Sequence, residues 1–444
     1  MSLNIMEGVE DIVIVGAGIA GLTTSLGLHR LGIRSLVLES SDSLRVTGFA
    51  FTTWTNAWKA LDAVGLGSFL RQHHQRLLEN VTTSTISGLQ TSKTSFEVKG
   101  KHLEHEIRCV KRKLLAETLA EELPSGTIRY SSKVVSVEES GSLMLVHLAD
   151  GTILRTKVLL GCDGVNLVVA KWLHFKKPAF AGRSAIRGCV DFKRSHGFEN
   201  KFMQFFGKGF RSGFLPCDDN IVYWFFIWTP RLCHNNTTAL CGECLLKQDS
   251  CLGFMLNIKE IEDNPARMKE FVLGKLEKVP DEIRNVIENT ELDGITLSAL
   301  RYRHPWELLW GNISKGNVCV AGDALHPMTP DLGQGGCAAL EDGVVLARCL
   351  GQALLKKPSG DQRKDKTERE RDHHDEYKRI ESGLKKYAKE RKWRSINLIT
   401  TAYIIGYIQD GGGKALSFFR DKMLARFLAG VLLKRAEFDC GKLV

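Results

Sequence analysis

The 444-residue sequence has no apolar run long enough to cross a bilayer, and it has few prolines. Its longest strongly apolar stretches, at 396–408 and 424–433, are shorter than the roughly 20 residues that a membrane-spanning helix needs. With only 10 prolines and no low-complexity tract, the chain is expected to fold rather than to be disordered. Apolar residues make up 43% and charged residues 25%, which is typical of a globular protein of two or three domains.

The start of the chain also lacks the basic and apolar regions of a secretory signal peptide, so a cytoplasmic location is expected. The 12 cysteines show no disulfide-framework spacing and are interpreted as free thiols. Four of them, Cys233, Cys241, Cys244 and Cys251, lie close together, but their spacing matches no usual zinc site. No metal is therefore predicted.

The net charge of +10 would suit a nucleic-acid partner, but its distribution does not. Residues 356–394 alone hold 15 Lys/Arg and 9 Asp/Glu, and no groove-reading motif accompanies them. We interpret this segment as a solvated helix, followed by amphipathic helices over 393–408 and 418–433. These helices are expected to pack on their own domain. The lesser interpretation is contact with a membrane surface through Lys422, Arg426, Lys434 and Arg435.

The first 40 residues contain a complete dinucleotide-binding pattern. A β-branched run at 11–15 leads into a G-x-G-x-x-G motif, a helical stretch follows at 22–31, and a second strand at 35–39 ends in an acid. The glycines permit a tight turn and a close approach of a pyrophosphate to the helix start, and the acid can accept hydrogen bonds from a ribose. This unit alone does not distinguish NAD from FAD. Its predicted cofactor contacts are Gly16, Ala17, Gly18, Ile19, Ala20, Gly21, Glu39 and Ser40.

A second glycine-rich motif occurs about 300 residues later. A buried strand at 317–321 is followed by Asp323, by the segment HPMTPDLGQGG at 326–336 and by a helix. A carboxylate in this position can accept a hydrogen bond from a ribityl hydroxyl. Backbone N–H groups at the start of the helix could stabilise negative charge on a reduced flavin ring.

Three motifs together resemble those of a known family. GAGIAG with Glu39, CDG at 162–164 and GDALHPMTPDLGQGGCAALED at 322–342 resemble the single-component flavin monooxygenases of the para-hydroxybenzoate hydroxylase-like fold. TGFAFTTWTNAWKALDAVGL, GFLPCDDNIVYWFF and KRAEFDCGKL look like the plant FAD-dependent monooxygenase group, related to zeaxanthin epoxidase and salicylate hydroxylase. The resemblance covers almost the whole chain.

The resemblance implies further cofactor contacts in this chain. Arg45 and Arg112 match arginine positions that contact FAD, although Arg112 could also be a surface residue of a basic helix. His326 invites the role of a general base, but its place in the GDA-x-HP signature favours an orienting role. Pro330 is expected near the reacting face of the flavin. The other implied cofactor contacts are Asp163, Asp323, Gly333, Gly335, Gly336 and Cys337.

The chain departs from the family pattern after its D-G pair. The family usually continues D-G-x-x-S, whereas this chain has Leu167 in place of the hydroxyl, with Lys171 nearby as a basic group. The departure removes a hydrogen bond that could serve in docking NAD(P)H. It leaves FAD binding as expected.

The region 180–230 is rich in predicted strands, as expected of the family's substrate domain, whose sheet covers the flavin. Alternation places one set of side chains on one face, Val222, Trp224, Phe226 and Trp228, and Tyr223 with Phe225 on the other. An aromatic-lined pocket is one interpretation, and burial in the core is the other. The predicted substrate contacts are Phe214, Trp224 and Phe226, and Arg187 is predicted to meet a carboxylate or phenolate.

The sequence therefore predicts an α/β fold with a discontinuous Rossmann-like FAD-binding domain, an inserted β-rich substrate domain and C-terminal helices. Its function is predicted to be an FAD-dependent, NAD(P)H-consuming monooxygenase that acts on a hydrophobic aromatic or unsaturated molecule through a flavin C4a-hydroperoxide, as a monomer or homodimer. The alternatives are an oxidase, a dehydrogenase or a non-catalytic flavin protein. The FAD-binding pieces are predicted at 9–75, 108–178 and 295–355, the substrate domain at 76–107 and 179–294, and the helical region at 356–444.

Overall fold

The computed structural model describes residues 8–44, 48–97, 105–165, 168–229, 261, 264–355, 366–410 and 425–443. Arg45, Leu167 and the cysteine-rich segment at 233–251 lie outside these residues, so the predictions that concern them stay predictions.

The described elements follow the chain in this order. The first half forms β1 (Glu10–Val15), α1 (Ile19–Arg30), β2 (Leu36–Leu38), β3 (Ala50–Thr53), α2 (Thr55–Ala63), α3 (Gly67–Gln72), β4 (Glu79–Ser84), β5 (Gln90–Ser95), β6 (Arg108–Lys111), α4 (Arg112–Glu121), β7 (Ile128–Arg129), β8 (Val134–Ser140), β9 (Leu143–Leu148), β10 (Ile153–Gly161) and α5 (Val168–Trp172). The second half forms β11 (Ala179–Asp191), β12 (Lys201–Gly207), β13 (Phe210–Pro216), β14 (Ile221–Trp228), α6 (Pro265–Lys275), α7 (Asp281–Glu288), β15 (Ile295–Tyr302), α8 (Pro305–Trp310), β16 (Ser314–Lys315), β17 (Val318–Val320), α9 (Gly335–Leu354), α10 (Lys366–Asp410) and α11 (Ala425–Arg435), with short 3₁₀ turns at 322–324 and 330–332.

The first sheet is assembled from three separate stretches of the chain. β1 lies at its centre and pairs in parallel with β10 on one side and β2 on the other. β17 extends the sheet beyond β10, and β7 extends it beyond β2. The apolar run of β1 is fully buried because α1 and α9 pack together over the sheet. The carboxyl ends of β1, β2 and β17 therefore meet at one edge, which is where ligands bind in such sheets.

The second sheet has seven strands in the order β15-β11-β14-β13-β12-β4-β5. One face packs against α6 and α7 in a separate apolar core. The opposite face looks toward the 3₁₀ turn at 330–332 and the C-terminal helices. Since β15 pairs with β11, the strand at 295–302 lies with this sheet, whereas the sequence placed it in the third FAD-binding piece.

The C-terminal region differs from its prediction. A single helix, α10, runs from Lys366 to Asp410, where the sequence suggested a solvated helix and a separate amphipathic one. It is not solvated on all sides, because Leu384, Tyr387 and Arg391 are fully buried against the first sheet and α9. Among the described residues, no helix is both long and apolar enough to span a membrane.

Candidate active site

The three glycines of the first motif are needed for different structural reasons. Gly16 has a φ of +103°, and a Cβ there would lie 2.5 Å from the carbonyl oxygen of Cys162. A Cβ on Gly21 would lie 2.0 Å from the carbonyl oxygen of Gly16. A Cβ on Gly18 would meet nothing within 4 Å. Gly16 and Gly21 are therefore required by packing, whereas the space in front of Gly18 is open for a ligand.

The start of α1 faces this open space. Gly18 is the N-cap residue, no side chain caps the helix, and no acidic residue lies in its first turn. The N–H groups and the dipole of the first turn thus offer a site for an anion. Ile19 and Ala20 begin the helix, and Ala20 packs directly on Gly322 of the second motif.

Glu39 lies at the carboxyl end of β2 and is buried. One carboxylate oxygen accepts the N–H of Ala17 at 3.0 Å, and the other accepts the N–H of Ser41 at 2.9 Å and the hydroxyl of Ser40 at 3.1 Å. These bonds fix the carboxylate beside the glycine motif. The remaining lone pairs of its oxygens could accept hydrogen bonds from a ribose.

Four charged or polar groups share a second part of the cleft. Arg112, at the start of α4, stacks its guanidinium over Phe51 at 5.6 Å. Burial lowers its pKa, and the nearby carboxylate of Asp323 opposes that effect. Asp323 is exposed just after β17, as expected of a carboxylate that accepts a hydrogen bond from a ligand hydroxyl. Arg187 and Tyr223 lie close enough to influence Arg112 electrostatically, and Arg187 donates to the hydroxyl of Ser298 at 2.5 Å.

Asp163 is a half-buried acid with one incompletely paired oxygen. Its Oδ2 accepts the N–H of Val168 at 2.7 Å, while Oδ1 is buried without a hydrogen-bond partner among the described residues. Burial raises the pKa of this carboxyl group. Such an oxygen keeps an unused capacity to accept a hydrogen bond.

The second glycine-rich loop ends at the start of α9. Gly333 has a φ of +61°, and a Cβ on Gly336 would lie 2.5 Å from the ring of Phe51. No side chain caps α9, and its first turn contains no acid, so its positive end is open toward the cleft. Gly335 lies at the first position of the helix and is half-buried.

Cys337 could contact a cofactor only through its backbone. Its thiol is fully buried and donates weakly to the carbonyl oxygens of Thr52 at 3.5 Å and Gly333 at 3.6 Å. Burial raises the pKa of this thiol to about 12. It is therefore a packed, unreactive side chain.

His326 lies behind the loop rather than in the cleft. Both His326 and Asp342 are fully buried, and Nε2 of the imidazole is 2.6 Å from an oxygen of Asp342 that also accepts the N–H of Gly322. The other oxygen of Asp342 accepts Arg391 of α10 at 2.5 Å. This arrangement supports an orienting role for His326. The geometry does not support the role of a general base, because the imidazole ring has no exposure to the cleft.

A cavity lies between the second sheet and the 3₁₀ turn at 330–332. Pro330 and Gly333 form one wall of it, and polar side chains of β4 and β12 form part of the opposite wall. Leu432 and Leu433 of α11 contribute the apolar end. Aromatic side chains complete the lining: Trp54, Phe96, Phe202, Phe206 and Phe225.

The predicted substrate contacts lie on the wrong face of the second sheet. Phe214, Trp224 and Phe226 have no exposed surface and belong to the core packed by α6 and α7. The indole N–H of Trp224 donates to the hydroxyl of Thr290 within that core. The correction follows from strand alternation, because Phe225, between Trp224 and Phe226, points to the cavity instead.

A buried ion cluster that the sequence did not reveal joins this sheet to the loop. Arg183 of β11 donates two hydrogen bonds to Asp331, at 2.9 and 2.7 Å, and Arg211 of β13 donates a third at 3.2 Å. All three side chains are almost completely buried, and Arg211 and Asp331 line the cavity. The position of Asp331 directly after Pro330 was the only available signal.

These features fit FAD better than a smaller ligand. The open space at Gly18, the fixed Glu39 and the unpaired oxygen of Asp163 lie at the first sheet. The exposed Asp323 and the uncapped start of α9 continue the same cleft toward the cavity. A long cofactor with an adenosine end, a pyrophosphate and a ring matches this succession of sites. No group of three metal-binding side chains occurs in the described part of the chain.

Comparison with known proteins agrees with this assignment. The model of the FAD binding domain family matches residues 10–237 and 278–377. "Monooxygenase 2" of Arabidopsis thaliana is 55% identical over 438 residues, which cover 99% of each chain. "Monooxygenase 1" of the same plant is 36% identical over 435 residues, covering 97% of this chain and 99% of the relative.

Solved structures show the same fold. The crystal structure of Klebsiella pneumoniae HpxO complexed with FAD and uric acid superposes with a TM-score of 0.74 and covers 97% of both chains. At 20% sequence identity this likeness establishes the architecture alone.

Proposed function

Because this chain belongs to the FAD binding domain family and is an FAD-dependent monooxygenase, we propose that it uses NAD(P)H and O₂ to hydroxylate or epoxidise a small hydrophobic molecule. The favoured substrate is aromatic or unsaturated. Two relatives named monooxygenase, matched over nearly their whole length, support the reaction class.

One observation carries the proposal. Pro330 and Gly333 belong both to the loop that leads into the uncapped helix α9 and to the wall of the aromatic cavity. A flavin ring held at that loop would border the cavity directly. The residues that would hold the flavin ring and those that would hold the substrate thus belong to one continuous site.

When bound, FAD supplies the redox chemistry that activates O₂. The residues of this chain position the reactants and shape the cavity. The N-terminal end of α9 favours negative charge at the loop. Phe202 and Phe225, with ring centroids 6.2 Å apart, and Leu432 keep water away from the cavity wall.

The cavity lining supports an apolar substrate with a small number of polar groups. Its aromatic rings suit a flat molecule, while the hydroxyl of Thr82 and the amide of Gln204 can orient one. The Gln204 amide is itself fixed by a hydrogen bond of 2.7 Å to Asn80. A fixed amide favours a defined orientation of the bound molecule.

The use of NAD(P)H rests on the family resemblance and on one property of the sequence. The chain contains a single G-x-G-x-x-G fingerprint of this kind, at 16–21, so a second nucleotide is proposed to dock only transiently. Asp163 lies close in sequence to Leu167, where this chain departs from the family pattern. We therefore propose Asp163 as the residue to substitute when the docking of NAD(P)H is tested.

The test uses the purified full-length protein loaded with FAD. NADPH and NADH are added anaerobically in separate experiments, and bleaching of the flavin spectrum is recorded. A bound flavin that bleaches and regains its colour with O₂ supports the proposal. A protein that binds no flavin, or bound flavin that neither nucleotide reduces, overturns it.

Oxygen insertion is tested with ¹⁸O₂ and a panel of hydrophobic phenols and alkenes. A monooxygenase transfers one labelled atom to its product. A product without the label would show a dehydrogenase or an oxidase on the same scaffold and would contradict the proposed reaction.

A further inference from the structure

Three of the eight tryptophans in the chain are exposed, and they lie on α8 and α10, two helices that pack against each other. Trp306 is 51% exposed, Trp310 80% and Trp393 64%. The other five are buried or half-buried. Tryptophan is among the more buried residue types on average, so three exposed indoles together indicate a surface that something covers.

The surface is continuous across three elements. Tyr302 at the end of β15 stacks on Tyr403 of α10, with ring centroids 4.7 Å apart, and its ring also contacts His304 at 4.9 Å. His304 stacks on Trp306 of α8 at 4.3 Å. The rings therefore form an unbroken row from α8 to α10.

Other apolar side chains widen this row. On α10, Ile404 directly follows Tyr403 and is 50% exposed, and Tyr407, one turn beyond Tyr403, is 65% exposed. At the other end Lys392 donates to the carbonyl oxygen of Leu309 at 2.7 Å, which brings Trp393 next to α8. We call the following set the aromatic patch: Trp306, Leu309, Trp310, Trp393, Tyr403, Ile404 and Tyr407.

The border of the aromatic patch is basic. Lys176 and Arg301 are exposed on the side of β11 and β15, and Lys389 is exposed one turn before Trp393. Two acids lie in the same stretches of α8 and α10. Glu307 is paired with Arg303 at 3.0 Å, and Glu390 is paired with Arg348 at 2.7 Å. The patch thus presents indole and phenol rings inside a positively charged border.

We propose that the aromatic patch docks the protein on an anionic lipid bilayer surface. Tryptophan and tyrosine are favoured at the boundary between headgroups and acyl chains, and lysine binds anionic headgroups. A second copy of this chain fits less well, because lysine is depleted at protein–protein interfaces and a copy would bring the same positive border against itself. The proposal does not depend on the proposed reaction.

Docking would place the cavity beside the bilayer. The inner side of the same end of α10 is formed by Ala402 and Ile405, which pack on Leu332 of the loop, and by Gln409, which lines the cavity. One helix thus separates the bilayer from the cavity. A substrate dissolved in the bilayer would have a short path to it.

Flotation of the full-length protein with vesicles tests the proposal. We expect recovery with phosphatidylserine-containing vesicles at low salt, little recovery with pure phosphatidylcholine, and loss at about 1 M salt, where charges are screened within ~3 Å. The triple variant W306S/W310S/W393S should lower binding by roughly tenfold or more, since binding scales with buried apolar area. K176Q and K389Q should each lower it about fivefold.

The matched control is I86S/L89S in the turn between β4 and β5. Ile86 and Leu89 are 64% and 68% exposed but lie outside the aromatic patch, so their loss should leave flotation unchanged. Absence of flotation at low salt, or an equal loss in the control, overturns the proposal. A dimer seen by light scattering that the tryptophan variant alone dissociates, without vesicle binding, would assign the patch to a second copy and also overturn it.

Discussion

Arg183 and Asp331 are 148 residues apart in sequence and join the second sheet to the loop beside the cavity through two hydrogen bonds of 2.9 and 2.7 Å. Neither side chain is more than 6% exposed. The pair fixes the distance between the sheet that covers the cavity and the loop that carries Pro330. The geometry of the cavity therefore depends on an ion pair.

Replacing Asp331 with Asn should destabilise the protein by about 3–5 kcal/mol, because Arg183 and Arg211 lose the buried carboxylate that they share. Urea unfolding at neutral pH measures the loss. The control is D293N, which changes an exposed acid and should have an effect below about 0.5 kcal/mol. Equal stabilities of D331N and the native protein would contradict the assigned role of the cluster.

The same pair predicts a pH dependence. Burial alone would raise the pKa of Asp331, but the hydrogen bonds from Arg183 and the charge of Arg211 outweigh it and hold that pKa below its usual value. The stabilisation is thus complete above the unfolded pKa of about 4 and is lost as the pH falls through the folded pKa. The stability difference between the native protein and D331N should shrink only in acid. A difference that instead shrinks toward alkaline pH would contradict this sign.

Gly18→Ala and Gly21→Ala should separate cofactor binding from folding. Gly18 has an ordinary φ of −81° and open space around it, so its alanine variant should unfold within about 0.5 kcal/mol of the native apoprotein and yet bind FAD at least tenfold more weakly. Gly21→Ala should destabilise the apoprotein, because its Cβ meets the Gly16 carbonyl. Thermal unfolding and FAD titration measure the two effects. Full FAD affinity of G18A would place the pyrophosphate elsewhere.

Neighbouring phenylalanines on β14 should behave differently. Phe226→Ala should cost about 3–5 kcal/mol in unfolding free energy, because its ring is fully buried against Phe210 and Phe271. Phe225→Ala should cost less and should instead raise the KM for the organic substrate, since Phe225 lines the cavity. Denaturation and substrate-dependent NAD(P)H oxidation are the measurements. A KM change confined to F226A would reverse the assignment of the two faces.

Cys337→Ala should bind FAD with unchanged affinity, because its thiol is fully buried and donates to protein carbonyl oxygens. Since burial raises the pKa of this thiol to about 12, iodoacetamide should leave it unmodified in the native protein near neutral pH. Mass spectrometry after peptide digestion records the modification. Rapid alkylation of Cys337, or loss of flavin from the alanine variant, would contradict the backbone assignment.

The sequence predicted those parts of the site whose geometry is determined by residues close together in the chain. The glycine motif at 16–21 and the acid at 39 lie within one β-α-β unit, so their spacing determines their geometry. The second loop was predicted for the same reason, since Asp323 and Gly333 follow a strand and precede a helix. Each motif is formed by a short continuous segment of the chain.

The parts that the sequence did not predict depend on contacts between residues far apart in the chain. Alternation along β14 divided its aromatics correctly into two faces, but which face would meet the cavity depends on where α6 and α7 pack. The charged helix was expected to be solvated because its sequence mixes both signs. Arg391 is instead buried between Glu341 and Asp342, about 50 residues earlier in the chain. No pattern within a helix reveals such partners.

The ion pairs between α10 and α9 also mean that the site is completed late in the protein's synthesis. Arg391 and Arg394 bind Glu341 and Asp342, the acids behind the second loop, and β17 must join β10 before that loop exists. When only the first glycine motif has been synthesised, most of the residues that form the cofactor site are therefore still missing. Glu341 and Asp342 gain their arginine partners only when residue 394 has been made, so we expect nascent chains truncated before it to be unable to retain FAD.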